Sequence, residues 1–460
     1  MDSALLSAVS TSFTEFYYWV TVVFMFLIHV GFCVYETGAS RYKHHMHTLM
    51  KNTMVIPLVS VTWFLFGWWI YWGLPYWPFG DIVITEVEGG NFTSFGSQFA
   101  YATSNYMAPR LDDRINGVFW AAFLLFSWTA ASIVSGSVIE RIKSSGFWIL
   151  AVAIGSVFWV VDAAWGWNPD GWMVRYLGYH DAYASGVIHG IAGGFALGVL
   201  AVLGPRLAKF SPTGEPRNIA IRNPWLVTVG LFLIYTGFWG FYVACNVPYL
   251  DIGASDGGSF FTATTIYGTP VTLSGITFNF IMSLSGGMMA AYAVSKGDVF
   301  WTYSGGLAGI IAASAGNDLY HPIQSLLIAA VTVPIIYKLH FWVERKFKID
   351  DAVGAVAVHG YAGFIGVTVA GFMLWGYPAS LNPEFTTAIN PLGNFIGAII
   401  MCVVLGFIPG YVISRILKAC NLLRVPHDVE LEGLDKDVEE QMVADEEAVA
   451  NIEKSQLSNN

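Results

Sequence analysis

Charge is what this sequence lacks. Only 12% of its 460 residues are Asp, Glu, Lys or Arg, about half the share found in a soluble domain. With 55% hydrophobic residues and a mean hydropathy of +0.55, there is too little charge to coat a water-facing surface. That excludes a soluble enzyme and a nucleic-acid binder. Cysteine is scarce as well. Cys33, Cys245, Cys402 and Cys420 lie far apart, with no CxxC or zinc spacing. A disulfide scaffold is excluded, no metal- or cofactor-binding pattern is read, and small buried hydrophobes are the default role. No GxxxxGK[ST] run occurs, which argues against ATP-driven transport by this chain alone. The first 12 residues carry no positive charge, and the first apolar run ends in Tyr35-Glu36 without a small-residue cleavage site. No cleavable signal peptide is therefore expected.

Apolar runs are what the sequence has. Eleven segments are expected to cross a membrane: 13–36, 50–73, 116–139, 146–167, 183–203, 224–246, 272–294, 298–315, 321–343, 352–376 and 391–417. This predicts an all-α polytopic protein of a plasma or prokaryotic inner membrane. Alternate loops, starting with the first, hold 13 Lys and Arg residues, among them Arg41, Lys43, Lys51, Arg141, Arg206 and Arg345. The other loops hold three, Arg110, Arg114 and Arg175. The positive-inside rule makes the first set cytoplasmic, the N-terminus external and the C-terminus internal. The net charge of −10 belongs to a tail: 11 acidic residues and two lysines fall between Val425 and Asn460. The chain divides into a membrane domain, 1–423, and an acidic cytoplasmic tail, 424–460.

An internal repeat points to the functional centre. Segment 5 begins Asp181-Ala-Tyr-Ala-Ser-Gly-Val-Ile-His189-Gly-Ile-Ala-Gly, and segment 10 begins Asp351-Ala-Val-Gly-Ala-Val-Ala-Val-His359-Gly-Tyr-Ala-Gly. Both read D-x7-H-G-x-A-G, offset by five spans. An odd number of spans per half inverts the second half, so two inverted five-helix repeats plus one extra helix are expected. Each histidine follows its aspartate by eight residues, about 12 Å along a helix. Descending from opposite faces of a core roughly 30 Å thick, His189 and His359 meet near the midplane. Ionisable groups at that depth usually face an interior pathway. Asp181 and Asp351 stand where their helices begin and can cap free N–H groups. Asp181, on the outer side, can also help stabilise an arriving cation. His29 has no repeat partner and reads as packed or hydrogen-bonded. Glycine-rich stretches such as Gly305-Gly306-Leu-Ala-Gly309 read as close helix packing. The Asn91-Phe-Thr93 sequon falls in an outer loop.

These residues together resemble the ammonium transporter (Amt/Mep/Rh) family over about Gly31 to Leu434. The twin histidines are the most specific element. Ile139-Glu140-Arg141-Ile142 matches a family motif at the cytoplasmic end of the third span, and counting back places Phe126 at the first pore gate. Gly237-Phe238-Trp239-Gly240-Phe241 matches the sixth span and places Phe241 at the second. The run Trp165-Gly-Trp167-Asn-Pro-Asp-Gly-Trp172 resembles the tryptophan-rich segment before the fifth span. It leaves Trp167, or else Trp172, to recruit the cation. Cys245 stands where a serine often helps hold the incoming ion, and Tyr242 follows the second gate in place of an asparagine. Leu423-Arg424-Val425-Pro426 and Glu430-Leu-Glu-Gly433-Leu434-Asp435 resemble the family's cytoplasmic tail, making Arg424, Gly433 and Asp435 candidate regulatory residues. Beyond about Glu439 the tail reads as solvated.

The resemblance implies a homotrimer with one pore per subunit, lipid and ammonium or ammonia as its partners, and in some hosts a PII-type regulator at the inner face. It implies transport rather than catalysis. Potassium matches ammonium in charge and size, so aromatic attraction alone cannot discriminate. Ammonium can release a proton before an apolar constriction and potassium cannot. The sequence leaves open whether that proton crosses too, whether the protein is instead an ammonium sensor, and whether it is an Rh-like gas channel. The tryptophan-rich segment and the tail point to the Amt side.

Overall fold

The computed structural model describes residues 3–82, 109, 114–250, 261–380 and 387–458. The Asn91 sequon and Arg110 lie outside them. Ten helices are long and apolar enough to cross a membrane. They are α1 (Ser3–Ala39), α2 (Tyr42–Gly73), α3 (Arg114–Ser137), α4 (Ser144–Gly166), α5 (Ser185–Leu203), α6 (Pro224–Ala244), α7 (Leu273–Ser295), α9 (Pro322–Phe347), α10 (Val356–Met373) and α11 (Pro391–Ala419). Between α7 and α9 lies α8 (Val299–Ser314), shorter but equally apolar. Two polar helices follow, α12 (His427–Glu432) and α13 (Lys436–Ser458).

Local sequence accounts for where these helices start. Asn223 before Pro224, Thr272, Asp298 and Asn390 before Pro391 each accept backbone N–H bonds of the helix they precede. Proline at the first helical position loses nothing, because its missing N–H would have been unpaired there. Lys296 and Lys348, at φ 58° and 57°, end α7 and α9 in the left-handed conformation.

Lys51, counted above as a loop charge, lies inside α2 and is fully buried. The first turns of α2 are polar and are met by the tail at Lys43, Met46 and His47. The described residues are also not all helical. Asn246–Leu250, Phe261–Thr265 and Pro270–Val271 form an antiparallel sheet in that order. The β-branched run Phe-Thr-Ala-Thr-Thr, with Gly-Thr-Pro after it, favours extended chain over helix. The sheet meets the first half of α1, where Tyr18 Oη donates to Asn246 O at 2.8 Å.

α1 and α6 pack closely along their length. A Cβ on Gly237 would lie 2.7 Å from Ile28 N, so only glycine permits the approach. α5 is the most enclosed span, with 89% of its apolar stretch buried. At the opposite end from the sheet, a buried ionic cluster ties the loops together. Arg206 makes a two-pronged bond to Asp350, with Nε and Nη2 each 2.9 Å from an oxygen. Glu140 accepts from Arg41 N at 2.7 Å and Arg41 Nε at 2.6 Å. Burial opposes ionisation of Asp350, but Arg206 and Arg141 hold its carboxyl below the ordinary range.

Candidate functional site

α5 and α10 begin alike. Asp181 Oδ1 and Oδ2 accept from Ser185 N, Gly186 N and Val187 N at 2.7, 2.7 and 2.9 Å, and Tyr179 Oη donates to Oδ2 at 3.1 Å. Asp351 Oδ1 and Oδ2 accept from Ala355 N at 3.0 Å and Val356 N at 2.8 Å. In both cases the amides four and five residues on are engaged. Each helix then opens with a wide π turn, Ser185–Gly190 and Val356–Tyr361, and each turn contains its histidine.

The glycine four residues after each histidine lets the two helices come together. A Cβ on Gly193 would lie 2.1 Å from Gly360 N, and a Cβ on Gly363 would lie 2.8 Å from Gly190 N. Backbone therefore packs on backbone, and the histidines approach. His189 Nδ1 lies 3.0 Å from His359 Nδ1, a hydrogen bond in which one ring donates and the other accepts. The rings overlap at 25°, with centroids 5.1 Å apart. His189 is fully buried and its Nε2 has no partner.

Apolar side chains continue from the pair toward the sheet-bearing end. His189 stacks on Phe241, centroids 5.5 Å apart. Phe241 meets Phe126 edge to face at 4.8 Å, and Phe126 meets Trp167 at 5.0 Å. All are fully buried. Trp167 Nε1 donates to Asp181 O at 2.8 Å, so this indole lies beneath the surface. Trp172 lies nearer the protein surface, with ring contacts to Phe79 and Trp165 at 4.9 and 5.5 Å. Cys245 is buried and its thiol bonds back to Phe241 O at 3.2 Å. Tyr242 stacks on Tyr183 at 4.4 Å, and its hydroxyl pairs with Ser314 Oγ at 2.6 Å.

On the other side of the pair lies a small chamber lined by Phe32, Tyr35, Gly136, Ser304, Val353 and His359 among others. Its free space is about 10 Å³, room for one water-sized molecule. Beyond Val353 a cavity of about 640 Å³ opens at the tail-bearing end, walled by Trp301, His340, Asp351 and Gly354 among others.

The tail residues engage the membrane helices. Arg424 Nη1 donates to Leu203 O, the last residue of α5, at 2.9 Å, and Arg424 Nη2 donates to Pro205 O and Glu430 Oε2 at 2.8 and 2.7 Å. Asp435 accepts from Met46 N and His47 N, both at 2.8 Å, capping the first turns of α2. Gly433, at φ 128°, lies against Lys43, where a Cβ would come within 2.8 Å. From Lys436 onward the tail is an exposed helix as far as its burial is described.

Several buried polar groups had no sequence signal. His180 Nε2 pairs with Asp318 Oδ2 at 3.0 Å beside Tyr267. Burial works against a charged His180, but the Asp318 carboxylate overrides it and raises the imidazole above its ordinary value. Glu36 and Lys51 form a pair at 3.6 Å, both side chains fully buried. His29, expected to be packed or hydrogen-bonded, has Nδ1 3.5 Å from Ser132 Oγ and packs on Trp128, though its partners could not be read from the sequence. These partners are 15 to 138 residues apart in the chain, and no local pattern joins them.

The Ammonium Transporter Family model matches residues 16–443. Ammonium transporter Amt2 of Methanocaldococcus jannaschii is 30% identical over 437 residues, covering 94% of this chain and 91% of that one. Ammonium transporter Amt2 of Archaeoglobus fulgidus is 29% identical, covering 88% and 82%. Among solved structures, a Sensor Amt Protein superposes with a TM-score of 0.73 at 21% identity, covering 94% of this chain and 99% of that one. Candida albicans Mep2 gives 0.64 at 18%, covering 90% and 86%. With its many apolar helices, this multi-pass membrane chain belongs to the ammonium transporter family.

Proposed function

We propose that the protein moves ammonium across the membrane by separating it into ammonia and a proton, with His189 and His359 as the central relay. The observation that carries the reading is the 3.0 Å contact between the two Nδ1 atoms, buried between an aromatic constriction and a one-molecule chamber. Trp167, Phe126 and Phe241 attract a desolvated cation from the outside, each ring contributing about 0.5–2 kcal/mol. Asp181 adds negative charge near the arriving ion while capping α5, Asp351 caps α10, and Cys245 lines the approach. At the Phe126–Phe241 gate a bare cation is costly, whereas neutral ammonia passes. The imidazoles then hydrogen-bond ammonia and pass a proton between ring nitrogens, so transport is electrogenic.

α8 serves as the eleventh span in this reading. The two halves are inverted five-helix repeats, supported by the matched Asp caps and π turns of α5 and α10. The N-terminus and sheet lie outside and the tail inside, as the loop charges require. Residues 1–423 form the membrane domain and 424–460 a regulatory tail, with Arg424, Gly433 and Asp435 as its contact points. Three copies assemble, each with its own pore, and a PII-type regulator binds the inner face in hosts that carry one.

The test is the charge displaced by an ammonium jump on proteoliposomes at two protein densities, with potassium as control and His189→Ala and His359→Ala beside wild type. A current that decays faster at higher density, is absent with potassium, and is lost or made unselective by either substitution supports the reading. Decay independent of density indicates binding without turnover, as in a sensor. No signal rejects electrogenic transport and leaves an electroneutral ammonia channel.

A further inference from the structure

The buried Glu36–Lys51 pair stands beside the inner half of the proposed pathway, and its geometry is incomplete in an informative way. Ser135 Oγ donates to Glu36 Oε2 at 2.5 Å, and Lys51 Nζ lies 3.6 Å from the same oxygen while donating to Ser135 O and Oγ at 2.8 Å. Oε1 is buried with no partner. An unpaired polar atom in the interior typically costs about 1–3 kcal/mol. Six other buried carboxylates among the described residues leave no such gap. Asp181, Asp350, Asp351, Glu140, Glu430 and Asp435 each have both oxygens bonded. Asp162 also has unpartnered oxygens. Neither carboxylate lines the chamber itself, but Glu36 Oε1 lies against Gly136, which does.

Oε1 faces the chamber wall. A Cβ built on Gly136 would fall 3.4 Å from Glu36 Oε1 and 2.5 Å from Val353 Cγ2. Gly136 and Val353 both line the chamber that holds His359. The free oxygen and the wall therefore meet at the one side of α3 that carries no side chain. Lys51, held by Ser135 and lying over the Phe147 ring at 4.4 Å, supplies the charge that offsets the ionised carboxylate.

We infer that Glu36 is the inner proton acceptor of the transport cycle, taking at Oε1 the proton that leaves the histidine pair. The inference rests on the electrogenic reading above. Ammonium loses a proton outside the gate, giving ammonia and a proton. The proton reaches Glu36 through the chamber, and a new O–H bond turns the carboxylate into a carboxylic acid. That bond breaks when ammonia arriving in the chamber takes the proton. Ammonium is restored on the inner side and the carboxylate is regenerated, so one charge crosses per nitrogen.

The experiment uses the full chain in proteoliposomes and reads two fluxes: ammonium-evoked current, and internal alkalinisation from ammonia reported by a pH dye. Glu36→Gln removes the acceptor. Because it strands the Lys51 charge, the double variant Glu36→Gln/Lys51→Met is measured with it, and folding is checked by gel filtration and thermal melting. The expected result is a current at least tenfold lower in the folded variants with ammonia flux retained, and substantial current in Glu36→Asp. Wild-type current in a folded Glu36→Gln or double variant overturns the inference and leaves the electrogenic reading standing. Loss of both fluxes in a folded variant also overturns it, because Glu36 is then structural. A wild type without ammonium current removes the electrogenic reading, and the inference falls with it.

Discussion

Gly193 of α5 and Gly360 of α10 lie backbone to backbone, and a Cβ on Gly193 would stand 2.1 Å from Gly360 N. The relation is not symmetric in its tolerance. A Cβ on Gly360 would meet Gly193 at 3.1 Å, a tight but relaxable distance. Gly193→Ala is therefore expected to force the helices apart, cost about 1–3 kcal/mol, and lower transport at least tenfold. Gly360→Ala should do markedly less. Thermal melts and uptake measured on both variants check the order.

Asp181 holds three backbone amides and a tyrosine hydroxyl at the head of the helix carrying His189. Asp181→Ala should cost about 1–2 kcal/mol through the lost cap. It should also loosen the π turn, so that the His189 imidazole resonances broaden in solid-state NMR. A variant with unchanged stability and sharp His189 signals would contradict the capping role.

The His180–Asp318 pair makes a prediction with a sign. His180 titrates above its ordinary value, after burial is outweighed by Asp318. Its pairing thus stabilises fully below about pH 6.5 and fades as pH rises through the raised value. Asp318→Asn should cost about 2 kcal/mol at pH 6 and progressively less in alkali. A penalty that grew with pH would contradict this.

Arg424 and Asp435 fasten the tail at two places, the end of α5 and the first turns of α2. Arg424→Ala or Asp435→Ala should release residues 424–435, read as faster trypsin cleavage near Lys436, with each variant losing about 1–2 kcal/mol of local protection. Cleavage at the wild-type rate in both would mean that the tail is held elsewhere.

Much of this architecture is written locally. Nine of the eleven apolar segments began and ended within about four residues of their helices, because hydropathy and capping residues such as Asn223 and Asn390 act over one or two turns, whereas α1 and α2 start 10 and 8 residues before the segments read for them. The matched D-x7-H-G-x-A-G runs pointed to the histidines that α5 and α10 place in contact. What escaped was set by distant partners. Lys51 reads as a loop charge until Glu36 of another helix neutralises it. His180 has no meaning without Asp318, 138 residues later. The sheet escaped because a run as short as Phe261–Thr265 says little beside spans of 20 residues. Trp167 and Trp172 are alike in sequence, and only packing shows that one touches Phe126 while the other lies nearer the surface.

The grip of Arg424 on Leu203 has a mechanical meaning. Leu203 is 14 residues beyond His189 on one unbroken helix, about 21 Å along its axis. A helix is stiff on that scale, so α5 acts as a push-rod with a histidine at one end and the tail's hand on the other. A slide of about 1 Å would stretch the His189–His359 hydrogen bond past its useful range. A pull on the tail at Arg424 is therefore a pull on the same helix that holds the His189–His359 hydrogen bond.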